Sequence, residues 1–551
     1  MNDKFAMLVI LDGWGIAPAG PGNAISQADL PNMHKFWASF PHSQLGASGE
    51  SVGLPRGEAG NTETGHLNLG AGRIVYQDLA RINMSIADGS FFENETLKNA
   101  IAHVVKNNSK LHIMGLVGAG GVHSSIDHFY ALLHYAAAQK LQKVYLHAFT
   151  DGRDSPPNVS FSYLSAIADA MKRENTGQIA SVMGRYWAMD RDLRWDRVAK
   201  AYFALTKGQG LTYKTVKEAI DGSYSKGQTD EFVEPSLIVG ADSKPLALIE
   251  NGDAVIFFNF RIDRPRELSR AFIMPDVGAQ MGFDPYTIDY EKHHVSERKA
   301  VPIGFQRGEL LKDLYFVTMT EYEKPLVEAG AHALFPPEHI TMPLGRAVSV
   351  EGLRQLRAAE SEKERFVTFY FNGQQEAPFP GEERLIVPSP KVPTYDLAPA
   401  MSAMELTNAV LSKLTHESDY SLVVINFANA DMVGHTGNLT AAIEAVRVLD
   451  GCLGRLADYV ITRGGLIIVT ADHGNAEQMI NPRTGGVSTE HSSNPVPFLA
   501  VSNEFQGLGV MLPAGILADV APTVLSYLGI SVPSSMMGRD LLTDLAHTKN
   551  L

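Results

Sequence analysis

The feature that most constrains the fold is a repeated unit, in which a short run rich in β-branched and apolar residues is followed by a polar loop. Continuous apolar runs of this length are typical of strands buried on both faces, as in parallel sheets. Helix-like segments at 402–414 and 441–463 separate some of these runs, as crossover connections require. The pattern predicts an α/β fold with largely parallel sheets. The predicted strands are residues 5–11, 111–117, 143–149, 179–183, 254–260, 314–318, 366–371, 422–427 and 466–470.

Length and composition narrow the class of protein. A chain of 551 residues is too long for one ordinary core and indicates several domains. Its 47 basic and 61 acidic residues give a formal charge of −14, which argues against nucleic-acid or membrane-surface binding. The single Cys452 excludes an intramolecular disulfide and a cysteine metal cluster. We see no signal-peptide pattern and no apolar run of ~18 residues, so we expect a cytoplasmic protein.

The polar residues that follow the apolar runs differ in chemistry along the chain. Ligands of open α/β sheets bind at the carboxyl ends of the strands, so these residues are the first site candidates. Carboxylate and imidazole side chains come from both ends of the chain, and mostly cationic ones come from its middle. We therefore expect a discontinuous metal-binding domain of residues 1–77 and 312–551. Residues 78–311 would form an inserted α/β domain that binds substrate.

Three aspartates and three histidines in the end blocks form a candidate metal site. Asp431 and His435 are four residues apart, which places both on one side of a helical turn. An oxygen and imidazole set suits manganese or zinc better than magnesium, and two ions can clamp an in-line phosphoryl displacement. The candidates are Asp12, Asp431, His435, Asp472, His473 and His491.

Each of these residues also has a structural interpretation when taken singly. Asp12 could cap a helix. Asp431 and His435 could be a cap and a surface histidine, and His491 could be structural. The Thr-Ala-Asp-His-Gly turn at 470–474, directly after an apolar run, is the most informative piece. The joint occurrence favours metal binding more strongly than any single member.

A glycine-rich loop at 57–66 carries the candidate nucleophile, Thr62. A hydroxyl beside a metal can lose its proton near neutral pH and attack phosphorus. Taken alone, the loop favours the structural interpretation, a turn that caps the next helix with Thr62 or Thr64 as N-cap.

The middle block contributes arginines at or just beyond predicted strand ends. A guanidinium group binds carboxylate and phosphate oxygens in a bidentate manner, and a small polyanion needs several. The stretch 185–197 alternates Arg with Asp, so it could instead be a salt-bridged helix face. The arginines are Arg153, Arg185, Arg191, Arg261 and Arg264.

Several blocks span nearly the whole chain in one order. They are Leu-Asp-Gly-Trp-Gly at 11–15, the loop 60–70, Asp-Gly-Arg-Asp at 151–154, Pro-Ser-Pro-Lys-Val-Pro-Thr-Tyr-Asp at 388–396, Asp-Met-Val-Gly-His at 431–435 and Ala-Asp-His-Gly-Asn at 471–475. Together they resemble the cofactor-independent phosphoglycerate mutase family of the alkaline phosphatase superfamily. The resemblance implies an alkaline-phosphatase-like, mainly parallel sheet flanked by helices, with the inserted second α/β domain.

The resemblance also implies the ligand sets and the reaction. One Mn²⁺ would be held by Asp431, His435 and His491. The other would be held by Asp12, Thr62, Asp472 and His473. Zn²⁺, Co²⁺ and Mg²⁺ are alternatives, and no bisphosphoglycerate is needed. The reaction would interconvert 3- and 2-phosphoglycerate through phospho-Thr62. Thr stands where the family has Ser, which keeps the hydroxyl but stiffens χ1, and Thr64 is a less favoured substitute.

The substrate residues implied by the resemblance lie mostly in the middle block. They are His123, Arg153, Asp154, Arg185, Arg191, Arg261, Arg264 and Lys363. Asp154 would shuttle the proton, with Arg153 helping to keep it ionised, and Lys363 would lie near the phosphate. Without the resemblance, Lys363 would be an exposed helix lysine. The implied partner is a small phosphoglycerate, bound by a monomer. Two alternative functions stay open: a phosphopentomutase or phosphatase of the same superfamily, and a non-catalytic metal-binding protein.

Overall fold

The computed structural model describes residues 4–277, 304–543 and 545. The chain forms two compact units, one of Met1–Ala80 with His339–Leu551 and one of Arg81–Glu338. We call them the discontinuous unit and the inserted unit. Each contains an eight-stranded sheet. Among the described helices, none combines the length and apolar character needed to cross a bilayer.

The strands occur throughout the described chain. They are β1 (Ala6–Leu11), β2 (His42–Gly46), β3 (Leu111–Val117), β4 (Val144–Thr150), β5 (Gln178–Gly184), β6 (Leu211–Tyr213), β7 (Ser236–Ile238), β8 (Ala254–Phe257), β9 (Tyr315–Thr320), β10 (His332–Phe335), β11 (Arg354–Glu360), β12 (Glu382–Val387), β13 (Tyr420–Phe427), β14 (Leu466–Thr470), β15 (Val496–Val501) and β16 (Gly515–Ile516).

The α-helices alternate with many of these strands. They are α1 (Ala24–Gln27), α2 (Pro31–Ser39), α3 (Thr62–Ala71), α4 (Asp78–Asp88), α5 (Glu95–Asn107), α6 (Ile126–Ala138), α7 (Ser160–Glu174), α8 (Arg185–Ala188), α9 (Trp195–Lys207), α10 (Val216–Tyr224), α11 (Arg266–Ile273), α12 (Lys324–Glu328), α13 (Leu344–Val350), α14 (Ala403–His416), α15 (Asn429–Gly434), α16 (Leu439–Thr462) and α17 (Val520–Leu528).

The sheet of the discontinuous unit has the order β12-β11-β13-β1-β14-β15-β2-β16. Its strands are parallel except β15, which runs antiparallel to both neighbours. Strand β1 lies between β13 and β14, so that Ala6 pairs with Leu422 on one side and Leu466 on the other. Both β1 and β13 are buried at every position, as their uninterrupted apolar sequences predict. The loops after these three central strands therefore meet at one edge of the sheet.

The sheet of the inserted unit has the order β10-β9-β8-β3-β4-β5-β7-β6. Its strands are parallel except where β7 runs antiparallel to β5. The loops after β3, β4, β5 and β8 emerge at the same edge and carry most of the residues that we predicted to bind substrate. The predicted α/β class with largely parallel sheets is confirmed in both units.

Three expectations differ from the structure. Residues 366–371 were predicted as a strand but form a π-helix, Phe366–Tyr370, because a short apolar run suits a buried helical turn as well as a strand. The expected return to the first domain at 312 is also displaced. Strands β9 and β10 extend the sheet of the inserted unit, with Ala254 paired to Tyr315, so the return occurs at His339. The entry into the inserted unit, expected at 78, lies at Arg81.

Candidate active site

A buried cluster of carboxylates and imidazoles lies at the carboxyl edge of the central strands of the discontinuous unit. Asp12 follows β1 directly, Asp431 lies in α15 after β13, and Asp472 and His473 follow β14. The side chains of Asp12, Asp472 and His473 are wholly buried. Parallel pairing of β13, β1 and β14 places these loops side by side, which explains why residues distant in sequence converge.

Asp431, His435 and His491 direct three donor atoms at one point. His435 Nε2 and His491 Nε2 each lie 3.2 Å from Asp431 Oδ1 and 3.0 Å from one another. The other ring nitrogen of each is occupied, since His435 Nδ1 lies 2.7 Å from the Thr489 carbonyl and His491 Nδ1 lies 2.9 Å from the Gly60 carbonyl. Because Nδ1–H of each ring donates to a carbonyl, the Nε2 atoms are the ones that face Asp431. This donor chemistry fits a divalent cation.

A second group surrounds Thr62, the first residue of α3. Thr62 Oγ1 lies 2.9 Å from His473 Nε2 and 3.4 Å from Asp12 Oδ1. Asn61 caps the helix, because its side chain accepts the Thr64 backbone N–H at 2.9 Å. Neither threonine therefore supplies the cap. The Thr62 hydroxyl faces the cluster, whereas Thr64 Oγ1 receives an N–H from Gln77 at 3.4 Å.

Lys363 is buried inside this cluster and is not an exposed helix lysine. It ends a short 3₁₀ helix, Ser361–Lys363, and its Nζ donates to Asp431 Oδ2 at 2.7 Å, Asp12 Oδ1 at 2.9 Å and Thr62 Oγ1 at 3.2 Å. Against the effect of burial, the Asp12 and Asp431 charges hold the pKa of Lys363 above its usual range. Burial and the Asp472 charge raise the pKa of Asp12 to about 6. Three buried carboxylates with one ammonium leave an excess of negative charge, which also favours divalent cations.

The ligand sets implied by the family resemblance remain predictions, and the described residues include three Asp–His groups that could hold a cation. The set Asp431, His435 and His491 has all its donor atoms within 4.8 Å of one another. Members of the second set lie in two further groups, Asp12 with Asp431 and His473, and Asp12 with Asp472 and His66, which also include residues from outside that set. His66 was not among the predicted residues.

A charged cluster in the inserted unit gathers the predicted arginines. Arg185 is buried after β5, and its Nη1 donates to Asp151 Oδ1 and Asp154 Oδ2, both at 2.6 Å. His123 Nε2 lies 3.7 Å from the same Asp154 oxygen. Burial and the Arg185 charge lower the pKa of His123 to about 4, so this imidazole is neutral at physiological pH. Arg185 outweighs burial and lowers the pKa of Asp154, and the Arg153 charge adds to this lowering, as we had expected.

Two of the remaining predicted arginines, Arg191 and Arg261, lie against Asp263. Arg191 Nη1 donates to Asp263 Oδ2 at 2.6 Å, and Arg261 Nε lies 3.2 Å from Oδ1. Arg264 donates to the Met189 carbonyl at 3.0 Å, while Arg153 lies 3.6 Å from Glu231. Arg185 and Arg191 do not share a helix, since α8 ends at Ala188 and α9 begins at Trp195. The alternative of one salt-bridged helix face is therefore wrong.

Comparison with known proteins assigns this chain to one family. The family model described as "BPG-independent PGAM N-terminus" matches residues 82–324, which lie within the inserted unit. A relative from Chloroflexus aggregans is 48% identical over 97% of this chain and 98% of its own length. A relative from Moorella thermoacetica is 49% identical over 97% of this chain and 98% of its own length. Both are named 2,3-bisphosphoglycerate-independent phosphoglycerate mutase.

The chain belongs to the 2,3-bisphosphoglycerate-independent phosphoglycerate mutase family. A solved structure of Leishmania mexicana phosphoglycerate mutase at low cobalt concentration is 30% identical, with a TM-score of 0.54 over 97% of each chain. Membership confirms the resemblance stated above and the predicted enzyme class, an isomerase. It also agrees with the donor chemistry, because these mutases are metal-dependent and the Asp–His groups here fit a divalent cation.

Several residues of this mutase that support the clusters were not predicted. His66, four residues after Thr62, directs Nδ1 at the Thr62 carbonyl (2.9 Å) and Asp472 Oδ2 (3.2 Å), so it carries a proton there and acts as a support. Asn426 donates to Asp12 Oδ2 at 2.8 Å. His66 lies in a motif block and could have been recognised from sequence. Asn426 lies within the apolar run of β13 and has no comparable signal.

A buried glutamate anchors the loop that carries Arg191. Glu267, on α11, is 1% exposed, and its Oε1 accepts the Leu193 backbone N–H at 2.8 Å. Leu193 has a φ of 59°, a strained conformation that this hydrogen bond helps to hold. Burial and the neighbouring Asp190 raise the pKa of Glu267 to about 8. The sequence shows only an ordinary amphipathic helix at this position.

Proposed function

We propose that this mutase interconverts 3-phosphoglycerate and 2-phosphoglycerate by intramolecular phosphoryl transfer through a phospho-Thr62 intermediate, as a step of glycolysis and gluconeogenesis. The relatives' names support the overall reaction. The observation that carries the intermediate is the Thr62 hydroxyl, which lies 2.9 Å from His473 Nε2 and 3.2 Å from Lys363 Nζ among buried carboxylates. A nucleophilic hydroxyl needs such neighbours to lose its proton.

We propose two divalent cations, with Mn²⁺ preferred on donor chemistry and Zn²⁺, Co²⁺ or Mg²⁺ as alternatives. Asp431, His435 and His491 would hold one, and Asp12, Thr62, Asp472 and His473 would hold the other. Such ions, when bound, supply Lewis-acid stabilisation of phosphoryl charge and lower the pKa of a neighbouring hydroxyl. No bisphosphoglycerate is required, because the phosphoryl group would reside on Thr62 between the two half-reactions.

The transfer is a pair of in-line displacements. Thr62 Oγ forms a bond to phosphorus as the bond between phosphorus and the C3 oxygen of the substrate breaks, and the glycerate C2 oxygen reverses the process. The Lys363 ammonium donates to phosphoryl oxygens that become more negative in the transition state. Asp154 accepts a proton from the attacking glycerate hydroxyl and returns it to the departing oxygen, since Arg185 keeps the pKa of Asp154 low.

The arginines of the inserted unit bind the glycerate. A carboxylate ligand competes with Asp263 for Arg191 and Arg261, whose side chains are nearly half exposed. Retention of glycerate between the half-reactions separates a mutase from a phosphatase, because glycerate that escapes leaves phospho-Thr62 to water. The expected cytoplasmic location and monomeric state remain predictions.

Phosphorus NMR of 3-phosphoglycerate with the purified protein and Mn²⁺, without bisphosphoglycerate, tests this function. We expect 2-phosphoglycerate to accumulate to equilibrium without inorganic phosphate. Release of inorganic phosphate alone would make the protein a phosphatase. An unchanged spectrum with metal-loaded protein would overturn the proposal.

A further inference from the structure

The carboxylate of Glu477 is a buried acceptor for four donors. Glu477 is 2% exposed and lies outside the predicted ligand sets. Its Oε2 accepts the backbone N–H of Asn475 at 2.8 Å and that of Gly15 at 3.0 Å. Its Oε1 accepts the Ser492 hydroxyl and, at 2.9 Å, the Asn494 side-chain amide. Such charge-assisted hydrogen bonds are stronger than those between neutral groups.

The four donors come from three different loops, and each loop carries a residue of the Asp–His cluster. Gly15 lies in the loop that begins with Asp12 after β1. Asn475 follows Asp472 and His473 after β14. Ser492 is the neighbour of His491, and Asn494 lies in the same segment before β15. One side chain therefore connects the loops of Asp12, His473 and His491.

Two glycines leave room for this carboxylate. A Cβ atom added to Gly15 would lie 2.2 Å from Glu477 Cδ, and one added to Gly474 would lie 2.4 Å from Glu477 Oε1. Real Cβ contacts are not this short, so any other residue at either position would displace Glu477 or its loop. Gly15 and Gly474 thus have a packing reason, which is close approach of the backbone to Glu477.

We propose that Glu477 is a positioning residue, which sets the spacing of Asp12, His473 and His491 and so determines how tightly the cluster binds divalent cations. The proposal rests on the metal-binding part of the proposed function. Groups that orient metal ligands raise affinity because the ligands need less ordering on binding. Backbone bonds also connect these loops, from Ala476 N to Gly13 O at 3.1 Å and from Ser492 N to Gly474 O at 2.9 Å. If these backbone bonds alone held the loops in place, loss of the Glu477 carboxylate would not change cation affinity.

Glu477→Gln tests whether the carboxylate is needed for tight cation binding or whether the backbone bonds between the loops are enough. The amide preserves size but removes the charge, and in either orientation its NH₂ group faces at least one donor. Asp450→Asn is the matched control, because Asp450 is 3% exposed in the same unit and accepts the backbone N–H groups of Asn32 (3.1 Å) and Met33 (2.7 Å). Ser492→Ala is a milder variant that removes a single donor from the His491 loop.

The measurement is a Mn²⁺ titration of the full-length, chelator-treated protein, with free Mn²⁺ followed by electron paramagnetic resonance. Melting temperatures of the metal-free proteins and Co²⁺ absorption spectra accompany it. We expect Glu477→Gln to weaken Mn²⁺ binding ~10–100-fold and to alter the Co²⁺ spectrum. Ser492→Ala should weaken binding several-fold, and Asp450→Asn should leave it within about twofold while lowering the melting temperature as much as Glu477→Gln does.

Three outcomes would overturn the proposal. The first is Mn²⁺ binding by folded Glu477→Gln within about twofold of wild type, and the second is equal weakening by Asp450→Asn, which would mean a general stability effect. The third applies if Glu477→Gln does not fold. In that case, Mn²⁺ binding by Ser492→Ala with wild-type affinity would overturn the proposal. Failure of the wild-type protein itself to bind Mn²⁺ would instead refute the proposed metal function, together with this inference.

Discussion

The two charged clusters of this mutase differ in how they balance their charge. In the discontinuous unit, Asp12, Asp431 and Asp472 are at most 2% exposed and share one ammonium, Lys363. In the inserted unit, the side chains of Arg153, Arg191 and Arg261 are 46–51% exposed, and each has a nearby carboxylate. The first cluster is left with buried negative charge, whereas the second pairs its exposed cations with carboxylates.

This difference shows that the effect of a carboxylate depends on its burial. Buried carboxylates with convergent imidazole nitrogens are costly unless a cation joins them, so the discontinuous unit is organised around cation binding. Exposed guanidinium–carboxylate pairs contribute little to stability and exchange partners readily. Changes in one cluster should therefore leave the property of the other intact.

The largest expected effect comes from the proposed nucleophile, Thr62. Thr62→Ala should lower mutase turnover by ~10⁴-fold or more, because no other hydroxyl takes its place, while Mn²⁺ binding falls only several-fold. Thr64→Ala, on the same helix, is the matched control and should stay within a few-fold of wild type. Thr62→Ser should remain active. A Thr62→Ala enzyme with more than a hundredth of wild-type turnover would exclude Thr62 as the nucleophile; a coupled assay measures this.

A change in the arginine cluster tests the independence of the two units. Arg185→Lys ends one bond short of Arg185 Nη1, the atom that donates to both Asp151 and Asp154, so we expect turnover to fall ~10²–10³-fold. Mn²⁺ affinity should remain within about twofold. Arg194→Lys is the control, because Arg194 is half exposed and pairs with Asp192 at 3.3 Å. Weakened Mn²⁺ binding in Arg185→Lys would show that the clusters are not independent.

The buried Glu267 gives the inserted unit an alkaline sensitivity. Burial raises its pKa from 4.5 to about 8, so the folded state binds this proton more tightly than the unfolded chain does. Its contribution to stability is complete below pH 4.5 and is lost as the pH rises through about 8. Glu267→Gln cannot ionise, so its melting temperature should fall less than that of wild type between pH 6 and pH 9, by ~2–6 °C. Glu95→Gln, at an exposed position, is the control; equal pH dependence in Glu267→Gln and wild type would contradict this assignment.

A smaller effect on the stability of the inserted unit is expected at acidic pH. His112 Nδ1 lies 2.9 Å from His147 Nε2, and burial lowers the pKa of both imidazoles below 6.5. Their contribution is therefore complete above pH 6.5 and is lost as the pH falls further. Thermal unfolding should show a shallower loss of stability between pH 6.5 and 5 in His147→Gln than in wild type. His134→Gln, on the exposed face of α6, should keep the wild-type slope.

Sequence patterns predicted the central strands well and the peripheral ones poorly. Strands β1, β13 and β14 are continuous apolar runs because they are covered on both faces. Strand β11 was missed because it begins with Arg354-Gln355 and contains Arg357, whose burial depends on partners supplied by Gln355 and Asn372. The π-helix at 366–370 was mistaken for a strand because a run of that length carries no clear period.

The sequence by itself determined the α/β class and the chemistry of the two clusters, since apolar runs and ligand types are local properties. Only the tertiary structure decided which of those groups meet. Asp12 and His473 come from opposite ends of the chain, yet Asp12 Oδ1 lies 3.5 Å from His473 Nε2, because the order β13-β1-β14 aligns the ends of distant strands. The tertiary structure likewise shows the supporting role of Glu477, His66 and Asn426. Their role depends on donors and acceptors from other loops, and a single local stretch of sequence does not contain those partners.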